Sequence, residues 1–426
     1  MPIVKTTERA MVDLPPGSDV PAVRRRLMRA GRVGNVPAFE ARNGRLHALD
    51  VVGVVDVGTV VVEIAPKTEA GTVWNDGASL LRHLLDWLGR EDPFAVPSGQ
   101  LHDGESLFES ALAWAARSMA ALLEDGPPRR YAEIEERSAS IKGRIVFSGS
   151  ARRRPGQALV HTIRHAPLST DNELTAVLMW IALEIGRRTS SIRTRSSCER
   201  IVHGLSDAVS GPAEPYAVVG IELTRMEEHW SAIVEFGRAL ARGAAPDPSR
   251  GGASTGVAML FTLKDLFEAA IGKVLKDGLP NEAMAAVRPR GKLFIAASGG
   301  TSLVRLEPDF GAARTADGDP KVVGDAKWKR IVRTARAPDL SPADAYQITS
   351  YVAATKAEAG FVVAPLSEDD PRSLVVADYR IRGLDVPMRI VGVRFAKLVE
   401  PSVDGECLRR ELCRAVARMA PVSSPL

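Results

Sequence analysis

Asp309 and Asp325 are the residues from which chemistry is most readily read in this 426-residue chain. Leu306-Glu307-Pro308-Asp309 reads as the close of one strand. Asp325, sixteen residues after Asp309, lies in Val322-Val323-Gly324-Asp325-Ala326-Lys327-Trp328-Lys329, which reads as another. Alternate strand residues share a face, so two such strands set Asp309 beside Asp325, with Lys327 on the face of Asp325. Two carboxylates and a backbone carbonyl, that of Ala326, make the hard-oxygen set that Mg²⁺ accepts while keeping several waters; Mn²⁺ can substitute. A bound divalent ion lowers the pKa of its water and neutralises charge on a pentavalent phosphate. A lysine beside it can orient or deprotonate the attacking water, or stabilise the developing charge. The chemistry expected is metal-assisted phosphodiester hydrolysis.

The tripeptide Asp-x-Lys alone carries no weight. With 52 acidic residues in the chain, one or two matches arise by chance, and a second one, Asp319-Pro320-Lys321, places Pro in a strand interior that suits it poorly. The conjunction is what discriminates. Downstream, Gln347 and Tyr351 stand at i and i+4, one above the other on a predicted helix. Upstream, Glu268 follows Leu266-Phe267 on another. The bland alternative is a buried ion pair on a sheet beside an amphipathic helix, and it accounts for any one of these features better than for all of them. His161 and His165 lack a third ligand nearby, and the cysteines (Cys198, Cys407, Cys413) show no Cys-x-x-Cys spacing, so a zinc site and a disulfide framework are not expected.

The elements that must position these residues follow from periodicity and punctuation. Val51 to Lys67 is β-branched with Gly at intervals, predicting two strands around a turn at Asp56–Gly58. Helical spacing predicts helices over 79–88, 106–124, 172–186 and 225–241. Ser140–Phe147 reads as a strand. The stretch Gly243–Gly256, rich in Pro, Gly and Ser, is the best linker. Beyond it, Leu260, Leu263, Phe267, Ile271 and Val274 mark one helix face, three strands are expected over 292–297, 302–310 and 321–328, a helix over 341–358, and strands over 361–365, 374–380 and 388–395. The fold class expected is multidomain α/β: a β-rich N-terminal domain (1–105), a mixed helical and β middle region (106–242), a linker (243–256) and a C-terminal domain (257–426) around a central mixed sheet.

Composition narrows the rest. Hydrophobic residues at 45% and charged residues at 25% are ordinary globular usage. The longest apolar run, Val177 to Leu183, is far short of a bilayer span, and the start lacks an apolar signal core, so a cytoplasmic protein is expected. The net charge is only +4, but arginines cluster. Between Arg129 and Arg164 nine basic residues face three acidic ones, the pattern of a phosphate-seeking surface. No Gly-x-x-x-x-Gly-Lys-Ser/Thr occurs, so any nucleotide-driven motor must be another polypeptide.

The order of Glu on a helix, Pro-Asp, Asp-x-Lys and Gln-x-x-x-Tyr resembles the PD-(D/E)xK nucleases of the RecB-like kind. Together with Val62-Glu63-Ile64-Ala65-Pro66-Lys67, Ile141-Lys142-Gly143-Arg144-Ile145, Leu168-Ser169-Thr170-Asp171-Asn172-Glu173-Leu174 and Met259-Leu260-Phe261, it makes most of the chain similar to the McrC family, the nuclease subunits of McrBC-type modification-dependent restriction systems. The resemblance implies a restriction-endonuclease-like C-terminal domain with Asp309, Asp325, Lys327, Glu268, Gln347 and Tyr351 at the catalytic site, and Mg²⁺ held by Asp309, Asp325 and the Ala326 carbonyl. It implies double-stranded, modified DNA as substrate. It also implies a hexameric AAA+ McrB-like NTPase as partner, bound through the N-terminal part and stimulated by it. Arg144, Arg152, Arg153, Arg154, Lys329 and Arg330 are candidates for DNA or partner contact. Two other readings stay open at this point: a stand-alone RecB-like repair nuclease, and an adaptor that activates an AAA+ ring without cutting.

Overall fold

The computed structural model describes residues 2–15, 20–33, 35–68, 72–74, 76–88, 106–131, 133–147, 160–244, 257–295, 302–329, 333–334, 337–338, 340–366, 370 and 372–420. Its mixed sheets and helices give the expected α/β class.

The N-terminal sheet has four strands in the order Ile3–Thr7, Val61–Ala65, Val51–Asp56, Val257–Thr262. Its middle strands are buried on both faces because both faces are covered. Val51, Val55, Val62 and Ile64 pack with Leu27 and Phe39 on one side. Val52, Val54 and Val61 pack on the other side with Leu80, Leu84 and the helices beyond. The turn expected at Asp56–Gly58 is present, with Gly58 N–H donating to Asp56 Oδ1 at 2.7 Å. Gly53 has φ of 126°, and a Cβ there would lie 2.1 Å from the Met259 carbonyl, so only glycine lets the neighbouring strand approach.

That neighbouring strand comes from beyond the Gly243–Gly256 stretch, most of which lies outside the described residues. The helix face expected from Leu260 onward is corrected accordingly. Leu260 belongs to the strand Val257–Thr262, and the helix Leu263–Gly278 starts after it, capped by Thr262 through Asp265 N–H.

Helices Gly77–Trp87, Leu107–Leu122, Glu173–Arg188, Ile192–Ser206 and Ser231–Ala244 form the middle layer. Ser106, Asn172 and Ser191 each cap a helix through the N–H three residues on. Two buried acids of the sheet, Asp56 and Glu63, tie it to this layer. Asp56 and Glu184 converge on Arg188, and Glu63 accepts from the Ser106 hydroxyl and from Phe108 N–H. The strand expected over 140–147 shrinks to Arg144–Ile145, because Gly143 turns with φ of 69° and its position against Arg164 leaves no room for a Cβ.

The C-terminal region is built on a six-stranded mixed sheet, ordered Ala285–Val287, Phe310–Ala313, Val322–Ala326, Ala359–Pro365, Val386–Val393, Leu374–Ile381. Val322–Ala326 is antiparallel to Phe310–Ala313 and parallel to Ala359–Pro365, the crossover being the helix Pro342–Thr355. Helices Leu263–Gly278 and Val403–Ala417 cover one face. The single strand expected over 302–310 is broken at Glu307-Pro308-Asp309 into Ser302–Leu306 and Phe310–Ala313. The first pairs with Gly291–Ile295 as a separate hairpin; Asp309 precedes the second rather than closing the first. Among the described residues no helix is long and apolar enough to cross a membrane.

Candidate active site

The break at Pro308 places the first carboxylate. Pro has no N–H to give a ladder, so the chain leaves the hairpin there and re-enters the main sheet at Phe310, opposite Gly324. Asp309, between them, takes the Ala326 N–H on Oδ2 at 2.9 Å. Gly324 must lack a side chain, since a Cβ would stand 2.2 Å from the Phe361 ring. Asp325 is 2% exposed. Burial, with the Asp309 charge adding to it, raises its carboxyl to about 6 even against the pull of Lys327.

Lys327 is fixed from several directions. Its Nζ lies 2.5 Å from Asp325 Oδ2 and donates to Gln347 Oε1 at 2.7 Å, and its backbone N–H donates to Val363 O at 2.9 Å. Burial works against the ammonium, but the contact with Asp325 outweighs it and holds the pKa above the ordinary lysine value. Gln347 Nε2 in turn donates to Tyr351 Oη at 2.7 Å, one helical turn along. Asp309, Asp325, Lys327, Gln347 and Tyr351 therefore form one contiguous arrangement, drawn from two sheet strands and the crossover helix. Glu268 faces the same place. It is half-buried, its carboxyl raised by burial and by the Asp309 charge, and it lines with Asp309 an open groove of about 740 Å³.

Sequence reasoning missed two supports. Trp328, next to Lys327, stacks edge-on against Phe267 and Phe395 with ring centres 5.4 and 5.5 Å away. Phe267 precedes Glu268, so this aromatic cluster fixes both functional side chains from behind. Asp344 receives Lys329 Nζ at 2.9 Å and the Ser341 hydroxyl. Burial opposes its charge, but Ser341 and Lys329 bring its pKa below the usual carboxylate value. The signal was legible as Ser341-Pro342-Ala343-Asp344, a helix start with an acid at the third position. Lys329 is thus engaged at the helix start. Arg144 sits on another sheet, paired opposite Arg164, and is not brought to the carboxylates. Arg152, Arg153, Arg154 and Arg330 lie outside the described residues.

The donor set suits a hard divalent ion. Asp325 Oδ2 is fully buried and, despite the nearby ammonium, has no donor aligned on it. Among the described residues no group of three or more His, Cys, Asp or Glu could hold an ion alone. Two carboxylates with a free buried oxygen fit an ion that, like Mg²⁺, uses one or two carboxylates and completes its shell with waters and substrate phosphate oxygens.

A sheet that sets two acids and a lysine at neighbouring strand ends, beside a groove, defines an α/β protein with a candidate hydrolytic centre. The model of the McrBC 5-methylcytosine restriction system component family matches residues 46–365, and the chain belongs to that family. No curated protein matches it. Among solved structures it is similar to a chain in the refined half-complex from the tetradecameric assembly of Thermococcus gammatolerans McrB AAA+ hexamers with bound McrC, at a TM-score of 0.69 and 17% identity, covering 97% of this chain and 99% of that one. A chain of the Thermococcus gammatolerans McrBC complex, solved by cryo-EM, matches at a TM-score of 0.48 and 17% identity over 65% of this chain and 88% of that one. The family is the one the sequence resembles.

Proposed function

We propose that this chain is the Mg²⁺-dependent DNA endonuclease subunit of a modification-dependent restriction system, of the PD-(D/E)xK kind, cutting when assembled with an AAA+ McrB-like NTPase. The observation that carries the reading is the meeting of Asp309, Asp325 and Lys327 at two adjacent strand ends. Asp309, Asp325 and the Ala326 carbonyl would hold the ion, which when bound supplies charge neutralisation and water activation for phosphodiester hydrolysis. An ammonium has three donors. Lys327 gives one to Gln347 and lies in charge contact with Asp325, which leaves donors for a phosphate oxygen or the attacking water. Tyr351 fixes Gln347, and Gln347 fixes the ammonium, so the donor is preorganised rather than recruited.

Support for the partner comes from the fold shared with a chain solved among McrB AAA+ hexamers with bound McrC and from a surface on the middle region. Tyr131, on the short sheet Arg130–Tyr131/Leu168–Ser169, and Phe147, just past the strand Arg144–Ile145, are 76% and 79% exposed, and Lys142 and Arg144, close to Phe147 in the chain, are exposed too. Large apolar side chains left in solvent next to cations fit a protein surface better than a purely solvated one. The decisive experiment purifies the full chain with and without the AAA+ partner, and follows cleavage of modified and plain duplex with Mg²⁺ and GTP or ATP. Cleavage that requires both proteins and vanishes in Asp309→Ala supports the proposal; nucleotide hydrolysis stimulated with no cleavage under any condition would leave the adaptor reading.

A further inference from the structure

Residues 285–306 carry a feature that neither the catalytic arrangement nor the fold requires. From Arg288 to Lys292 the side chains alternate: Pro289 and Gly291 are buried, while Arg288, Arg290 and Lys292 are exposed. The inward positions explain the alternation. Pro289 packs on Gly311 of the central sheet, where a Cβ would meet it at 3.1 Å, and Gly291 lies so close to Ala354 that a Cβ would meet its backbone at 2.7 Å. The cations are thereby held outward by backbone packing, on the segment pinned to the helix that carries Gln347 and Tyr351.

On the hairpin Gly291–Ile295/Ser302–Leu306, Lys292 stands directly opposite Arg305, which is also exposed. Directly opposed strand residues share a face, so two like charges are set side by side, an arrangement that weakens a hairpin. Among the described residues neither has an ion-pair partner, nor does Arg288, and the one ion pair the row makes there is Arg290 with Glu307 at 3.9 Å, both side chains largely in solvent. Arg288 stands in the wall of the groove that also holds Glu268 and Asp309. A line of cations thus starts at the mouth of the acidic centre and runs out along the hairpin.

We infer that Arg288, Arg290, Lys292 and Arg305 form the track that binds the phosphate backbone of the cleaved DNA strand and feeds it to Asp309. An anion across Lys292 and Arg305 turns their repulsion into two attractions, and cations beside three carboxylates offset the repulsion that this acidic site would exert on DNA. The inference rests on the nuclease reading above.

The test uses the full-length chain and its variant Arg288→Ala/Lys292→Ala/Arg305→Ala, with Lys292→Gln as a milder second variant. Binding of a short fluorescein-labelled duplex is measured by anisotropy in EDTA, so that nothing is cut, across a KCl series. A control removes Arg193 and Arg200 from the helix Ile192–Ser206. The slope of log Kd against log salt should become shallower by about 2 to 3 in the triple variant, near 0.9 for each phosphate that is no longer neutralised, and should not change in the control. With Mg²⁺ and the AAA+ partner, KM should rise about tenfold or more while kcat at saturating DNA holds, and the triple variant should melt no lower than the parent. An unchanged slope and KM, in a parent that does cleave, would overturn the track alone; so would an unchanged slope with weakened binding of the partner protein. A parent that neither binds nor cuts DNA with its partner would overturn the nuclease reading and the track together.

Discussion

Asp325→Asn should make the metal-free protein more stable. A structural ion pair and a metal-binding carboxylate predict opposite signs here. The Asp325 carboxyl is raised from 3.8 to about 6 by burial first, with Lys327 pulling against it and Asp309 with it. A folded-state pKa above the unfolded one means that the native protein disfavours the charged form. The penalty is absent below the unfolded pKa, grows as pH rises through the window from about 4 to 6, and is complete above it. Two units correspond to about 3 kcal/mol at pH 7.5, and titration between those values leaves roughly half of that at pH 5. The pull of Lys327 is already contained in that net shift, so a gain of up to about 3 kcal/mol is expected, or a few °C in melting temperature. Added Mg²⁺ should reverse the order, because an ion that binds only the folded parent stabilises it by mass action and Asn is a poor ligand. Scanning fluorimetry of parent and variant at pH 7.5 and 5, with EDTA and with Mg²⁺, reads all four conditions. If Asp325→Asn melts below the parent in EDTA at pH 7.5, the carboxylate is a stabilising member of an ion pair, and the reasoning that it is held ready for a cation is wrong.

Asp309→Ala and Asp325→Ala should abolish duplex cleavage in the partner assay, Lys327→Ala should lower it by about 10²-fold or more, and Gln347→Ala or Tyr351→Phe should cost less; wild-type rates in Asp309→Ala would remove the site. Trp328→Phe should retain cleavage while Trp328→Ala loses both cleavage and about 3 kcal/mol of stability, read by single-turnover kinetics beside a denaturant melt, because the ring fixes Lys327 and Glu268 through Phe267. A fragment of residues 1–262 should be soluble and raise the partner's nucleotide turnover, whereas 1–242 should aggregate, since ending before Val257 uncovers the full edge of the buried strand Val51–Asp56; equal solubility by size-exclusion chromatography would show that the fourth strand is dispensable. Arg188→Ala should destabilise by about 3–5 kcal/mol by leaving Asp56 buried without a cation and Glu184 with only the exposed Arg187 at 3.5 Å, and a chemical melt that moves by less than a quarter of that would show the triad to be solvated.

The sequence by itself determined the residues that meet at the candidate site and most of the elements that carry them. Helices such as Leu107–Leu122 and Glu173–Arg188, and strands such as Val51–Asp56 and Val322–Ala326, were legible because local periodicity and caps are written within a few residues of one another. Asp309, Asp325, Lys327, Gln347 and Tyr351 were legible because two carboxylates and a lysine are types suited to metal-assisted hydrolysis and because their order resembles that of the PD-(D/E)xK nucleases. What only tertiary structure decided depends on partners remote in sequence. Leu260 reads as helical by spacing, yet it is drawn into a strand because Val51–Asp56 offers an unpaired edge some two hundred residues earlier. The strand at 302–310 breaks because the main sheet captures Phe310 opposite Gly324, and that break turns Asp309 toward Ala326. The cations at Arg288, Lys292 and Arg305 look unremarkable in the sequence beside the denser Arg129–Arg164 cluster. Register alone places Lys292 across from Arg305, and packing on Gly311 and Ala354 alone turns the row outward. Charge spacing along a chain is local information, whereas the face on which a charge ends is set by what the other face must bury.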